Sequence, residues 1–207
     1  MLDVEGFILV GGRSSRMGTD KSLMQFGGQT SVERIAAELR SITPTPRISR
    51  VGRSRAGFDP DLRIIPDTHE QWGALGGIHA ALGACVADWA LIVACDLPFV
   101  TRDLCSRLLM LSQQGSPEAV VPIQPDGRPQ PLCALYRREP CLLEAEKLIA
   151  SGEHTPRALL ANVKTRWVRS AELIDLPGAE NFFFNVNTPD DYEQAQLLLL
   201  QNPASSG

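Results

Sequence analysis

Hydrophobic positions fall in short blocks whose period changes along the chain. Residues 6–10 (Gly-Phe-Ile-Leu-Val) and Trp89–Ala94 are continuous apolar runs, the pattern of strands covered on both faces. Between them, Val32, Ile35, Ala36 and Leu39 recur at helical spacing, which predicts a helix over 31–41 with Ser31 as its cap. Short strands are expected at 47–51 and 62–65, and a small-residue helix over 75–87 that begins inside the cluster Gly73, Gly76, Gly77. Thr101 is placed to cap the next helix. Strand and helix signals alternate, which predicts an α/β protein with a mostly parallel sheet. The second half is less regular. Segments 119–123 and 132–136 flank Gln124-Pro-Asp-Gly-Arg128, whose turn residues predict a hairpin-like pair rather than another βα unit. Helices follow at 139–150 and 155–161, and Thr188-Pro189 pairs an N-cap with proline at the first helical position, opening a helix to about residue 201. Residues 202–207 read as a frayed tail. No repeat, linker or composition shift divides the chain, so one domain over 1–207 is expected.

Composition narrows the class. With 207 residues, 43% apolar and 21% charged, the chain has ordinary globular proportions, which excludes disordered and fibrous classes. The longest apolar run, 89–95, falls far short of the roughly 20 residues that span a bilayer, as does 197–200. The acidic start Met1-Leu-Asp-Val-Glu is unlike a signal peptide. A soluble, cytoplasmic protein without membrane attachment is expected. The net charge of −4 gives no reason to expect nucleic-acid binding. A local anion site remains open, because 17 of the 20 basic residues are arginine. Cys85, Cys95, Cys105, Cys133 and Cys141 contain no Cys-x-x-Cys pair and read as small core residues in a reducing compartment. His69, His79 and His154 are scattered, so zinc is not expected.

The chemistry concentrates after the first strand, in Leu9-Val-Gly-Gly-Arg-Ser-Ser-Arg-Met-Gly-Thr-Asp-Lys21. Glycines at a strand's carboxyl end let backbone N–H groups approach an anion, and open sheets bind ligands at that edge. Arg13, Arg16 and Lys21 add positive charge, and Ser14 and Ser15 add donors, as a polyphosphate requires. The spacing is neither a Walker loop nor a dinucleotide fingerprint, since Gly18 is followed by Thr19-Asp20-Lys21 and Gly12 by Arg-Ser-Ser-Arg.

This loop resembles the signature of the Rossmann-like nucleotidyltransferases, and its Gly11-Gly12 pair and Asp20-Lys21 are most similar to the molybdenum cofactor guanylyltransferases. Val10 stands where that family usually has alanine. Three further segments extend the resemblance: Pro66-Asp67 followed by Gly73-Ala-Leu-Gly-Gly77, then Ala94-Cys-Asp-Leu-Pro98, and late in the chain Phe184-Asn-Val-Asn-Thr-Pro189. The resemblance implies a three-layer fold with helices on both faces of the sheet. It divides the chain into a nucleotide-binding half, about 1–115, and an acceptor-binding half, about 116–201.

The implied reaction is transfer of GMP from GTP to the terminal phosphate of molybdopterin, with pyrophosphate released. The resemblance gives Leu9, Val10, Gly11, Gly12, Lys21, Asp67 and Asp96 to the nucleotide, Lys21, Arg16 and Asp96 to catalysis, and Asp96 to Mg²⁺. Asn185 and Asn187, two apart on an extended segment, face the same side, and the resemblance puts them near the acceptor. Arg128, Gln130 and Arg157 are further candidates for that side, and Trp72 for stacking on a ring. Contacts with proteins that deliver or receive the cofactor are implied in the same way. Three alternatives stay open: the same reaction with CTP, transfer to a sugar phosphate or small phosphorylated acid, and a delivery protein that binds nucleotide without turnover.

Overall fold

The computed structural model describes residues 2–11, 24–42, 48–52, 62–67 and 72–201. Nine strands and six helices alternate along these residues. In chain order they are β1 (Val4–Val10), β2 (Gln25–Phe26), β3 (Gln29–Thr30), α1 (Ser31–Arg40), β4 (Ile48–Gly52), β5 (Arg63–Ile65), α2 (Gly73–Ala84), β6 (Trp89–Ala94), α3 (Arg102–Ser112), β7 (Ala119–Pro122), β8 (Cys133–Arg137), α4 (Arg138–Ala150), α5 (Pro156–Asn162), β9 (Thr165–Val168) and α6 (Pro189–Gln201). Seven strands form one sheet in the order β5-β4-β1-β6-β8-β7-β9, and β2 with β3 forms a separate hairpin. Strands β5, β4, β1 and β6 run parallel, so their carboxyl ends share one edge. Strand β8 is antiparallel to both β6 and β7, and β9 is parallel to β7. The 119–123 and 132–136 segments therefore pair as the turn between them predicts.

Side-chain alternation along the central strands fills two cores. From β1, Ile8 and Val10 join α1 and α3 on one face, while Phe7 and Leu9 join α2, α4 and α5 on the other. From β6, Leu91 and Val93 enter the first core and Ala90 and Ile92 the second. Both faces are covered, which is why these strands read as unbroken apolar runs. The result is a three-layer α/β fold with a mostly parallel central sheet. Trp89 is buried in the first core, and all five cysteines are buried, none of them in a disulfide.

Some local expectations need correction. Thr30, not Ser31, caps α1: its hydroxyl accepts from Glu33 N–H, and Glu33 reaches back to the Thr30 N–H. Ser31 is the first helical residue and spends its hydroxyl elsewhere, as described below. Strand β9 and the β2–β3 hairpin were not anticipated, since two- and four-residue strands carry too little periodicity to register. Residues 202–207 lie outside the described residues.

Two glycines have opposite requirements. Gly52 ends β4 with φ +137°, and a Cβ there would lie 1.9 Å from the Val10 carbonyl oxygen. Gly83 on α2 faces open space. Gly52→Ala should therefore cost at least about 2 kcal/mol through strain and displacement of the β1 end. Gly83→Ala should instead stabilise by about 0.5–1 kcal/mol, and urea denaturation of both variants checks the pair. Burial drives the thiols of Cys85, Cys133 and Cys141 up to about 12, and raises that of Cys105 well above its ordinary value. At pH 8 these four are protonated and unreactive. A disulfide reagent at that pH should find at most one fast thiol in the folded protein and five after denaturation.

Candidate functional site

The shared edge of the four parallel strands gathers the segments singled out in the sequence. Strand β1 lies between β4 and β6, so the peptides after Val10 and after Ala94 stand in neighbouring columns about 4.8 Å apart. The Cys95 N–H donates to the Leu9 carbonyl at 3.0 Å, carrying the β1–β6 ladder one step beyond the strand. Asp96 then leaves the sheet on a turn closed by the Leu97 N–H to the Ala94 carbonyl at 3.2 Å, and its side chain is half-buried.

Among the described residues, three elements pin that turn. From β1 comes the Leu9 carbonyl. From the start of α1, the Ser31 hydroxyl donates to the Cys95 carbonyl. From the late asparagine segment, the Val186 N–H donates to the Asp96 carbonyl at 2.9 Å, and Phe184 packs edge-on against Phe99, ring centroids 6.0 Å apart. The two asparagines either side of Val186 are thus brought to the Asp96 turn; Asn185 is half-buried and Asn187 exposed. Asn187 is shaped further by Asp191, whose carboxylate accepts from the Asn187 and Thr188 N–H groups at 2.9 and 2.8 Å. The Thr188 hydroxyl accepts from the Asp191 N–H, completing the cap of α6.

At the end of β1, Leu9 and Val10 turn their side chains into opposite cores. The β-branch of Val10 therefore occupies the core beneath the edge, and what the strand end presents is backbone. Gly11 is exposed, with open space where a Cβ would stand. Gly77 on α2 has a different reason to be glycine: a Cβ there would come 3.2 Å from Leu9 Cδ1, so its absence lets α2 lie close on β1. Asp67, half-buried, lies two residues beyond β5, two columns or about 10 Å along the edge from β1. Gly12, Arg13, Arg16 and Lys21 lie outside the described residues.

The other candidates are dispersed. Arg128 pairs with Asp126 inside its own turn, Nε to Oδ2 2.6 Å. Gln130 is buried, and its N–H donates to the Pro122 carbonyl at 2.9 Å. Arg157 lines an open, mainly apolar cavity of about 340 Å³ with Ile123, Pro129, Ala161 and Trp167. Trp72 packs against His154 from the α4–α5 connection, ring centroids 4.2 Å apart. Sequence reasoning missed Gly52, Ser31 as a donor to the Asp96 turn, and the Trp72–His154 contact. Only Gly52 left a trace, as a glycine closing a short strand segment.

A parallel edge whose β1 end presents backbone, with the Asp96 carboxylate in the next column, suits a polyphosphate ligand. The model of the MobA-like NTP transferase domain matches residues 6–168. The chain belongs to that family. It is a nucleotidyltransferase. The match runs from within β1 to the end of β9 and so takes in all seven strands of the main sheet except the first two residues of β1. Among curated proteins, the chain is similar to a probable molybdenum cofactor guanylyltransferase of Pelotomaculum thermopropionicum, 34% identical, covering 96% of this chain and 94% of that one. It is also 33% identical to a molybdenum cofactor guanylyltransferase of Vibrio cholerae, covering 93% and 91%. The crystal structure of molybdopterin-guanine dinucleotide biosynthesis protein A from Archaeoglobus fulgidus has the same fold, TM-score 0.80 at 24% identity, over 95% of this chain and 99% of that one. Among the described residues no helix is long and apolar enough to cross a membrane.

The motif resemblance read from the sequence implies Mg²⁺, and the described donor set is compatible with it. Among the described residues no three acidic, histidine or cysteine side chains cluster to cage a metal. Mg²⁺ does not need such a cage; it takes one or two carboxylates and completes its shell with water and substrate phosphates. A half-buried Asp96 on a turn at the ligand edge offers that kind of partial site.

Because Gly11 has room above it, Gly11→Val should leave the denaturation midpoint near wild type while reducing nucleotide affinity at least about tenfold, by filling the space that a ligand held on the strand-end backbone would need. Calorimetric titration with GTP, beside a urea melt, checks this.

Proposed function

We propose that this nucleotidyltransferase moves GMP from GTP to the terminal phosphate of molybdopterin, forming the guanine dinucleotide and pyrophosphate. The observation that carries the reading is the convergence of the β1 end, the Asp96 turn and the Asn185–Asn187 segment on one sheet edge. Two curated relatives, each over 90% of this chain, bear the guanylyltransferase name and support the choice of reaction. The Gly11-Gly12 pair supports GTP over CTP. Five cysteines without a disulfide suit the reducing cytoplasm.

In this reading, backbone N–H groups at Gly11 and Gly12 hold the triphosphate, with Lys21 and Arg16 offsetting its charge. Asp67 contacts the nucleoside, and Leu9 and Val10 meet the base through backbone groups. Asn185 and Asn187 orient the acceptor, so that its phosphate oxygen approaches the α-phosphorus opposite the departing pyrophosphate. The acceptor is already anionic, so no protein nucleophile or general base is required. Asp96 would hold Mg²⁺, which when bound supplies positive charge to the phosphate oxygens.

Pyrophosphate release measured with molybdopterin and each of GTP, CTP, ATP and UTP tests the reading. Release with GTP in large excess over CTP is expected. Preference for CTP would make the protein a cytidylyltransferase with the same site. Nucleotide binding without release would make it a delivery protein. Asp96→Ala should lower kcat at least about 100-fold at saturating Mg²⁺ with GTP affinity changed far less; unaltered turnover would remove Asp96 from the metal site.

A further inference from the structure

Helix α6 carries the Asn185–Thr188 segment on its amino end, yet only Ala195 of its thirteen residues is buried. So little burial would not fix a helix in place. Polar contacts with β2 do so instead. The Tyr192 hydroxyl donates to the Gln25 carbonyl at 2.8 Å. Gln196, one turn on, directs Nε2 to the same carbonyl at 2.6 Å and to the Tyr192 hydroxyl at 2.8 Å. The Tyr192 ring meets Phe26 edge-on at 5.4 Å. Around this triangle, Met24, Phe26, Val186 and Ala195 form a small core apart from the two that flank the sheet, with Phe99, Phe184 and Leu199 packed on its rim.

We propose that Tyr192 and Gln196 are positioning residues that set Asn185 and Asn187 against the Asp96 turn by latching α6 to the Gln25 carbonyl. This rests on the assignment of those asparagines to the acceptor. Among the described residues, two backbone hydrogen-bonding routes tie the segment down. The upstream one is the Val186 N–H to the Asp96 carbonyl. The downstream one runs through Asp191, which holds the Asn187 and Thr188 N–H groups and immediately precedes Tyr192. If α6 shifts, the downstream route shifts with it, whereas the ends of β1 and β6 stay in the main sheet. The latch therefore acts on the acceptor side and spares the nucleotide side. Tyrosine and glutamine at i and i+4 share one helix face, so both reach one carbonyl.

The test uses Tyr192→Phe, which keeps the ring against Phe26, and Tyr192→Phe combined with Gln196→Met, which removes both donors. For the single variant the KM for molybdopterin should rise about fivefold, the worth of one hydrogen bond. For the double variant it should rise further. In both, kcat and the Kd for GTP should stay within about twofold of wild type. Amide exchange at residues 186–188 should quicken in step with KM. Unchanged exchange overturns the latch, as does quicker exchange without a change in acceptor KM. A parallel loss of GTP affinity and Tm overturns it too, since that marks a general structural role. If wild-type protein does not turn over molybdopterin, the functional reading fails, while exchange at 186–188 still decides the latch: quickening supports it and unchanged exchange overturns it.

Discussion

The peptide joining Cys95 to Asp96 is where the molecule is tied together. Its own carbonyl accepts from the Ser31 hydroxyl at the start of α1, the peptide before it donates to the Leu9 carbonyl of β1, and the peptide after it accepts from the Val186 N–H of the late segment. Residues 9, 31, 95 and 186 are scattered along the chain, and one turn fixes all of them relative to one another. A carboxylate held in this way cannot drift without disturbing three elements, and in phosphoryl transfer most of the protein's work is positioning charge. The small core of Met24, Phe26, Val186 and Ala195 extends the arrangement to α6.

The antiparallel step in the sheet gives the edge its two halves. Strands β5, β4, β1 and β6 end there, whereas β8 begins there, with Cys133 opposite Val93. Beyond β6 the edge is therefore built by the β7–β8 connection and by the segment after β9, not by further βα loops. This suits an enzyme that must seat two different substrates side by side: one half offers backbone at strand ends, the other offers side chains on connections and on the approach to α6.

Much of the fold was legible because burial on both faces writes itself as continuous apolar runs. Trp89–Ala94 was read to the residue, and Thr101, Thr155 and Thr188 cap helices whose starts their side chains mark. The shift of the α1 cap from Ser31 to Thr30 came from two adjacent hydroxyls that look alike in sequence and differ only in what each touches. Strand β9 escaped notice because Thr165–Val168 alternates over four residues only, and its pairing with β7 is long-range. At the site, glycines, Asp96 and the two asparagines could be chosen from motif order. The Tyr192–Gln196–Gln25 triangle could not, since its acceptor is a main-chain carbonyl, which leaves no mark in a sequence.

The central claim is that the triphosphate lies along the edge between β1 and β6 with its metal at Asp96. A crystal of the protein grown with GTP and Mn²⁺, standing in for Mg²⁺, tests it through the anomalous signal of the manganese. Manganese at bonding distance from the Asp96 carboxylate, with phosphates over Gly11, is the expected result. Manganese or nucleotide bound elsewhere, for instance in the cavity beside Trp167 and Arg157, would contradict it.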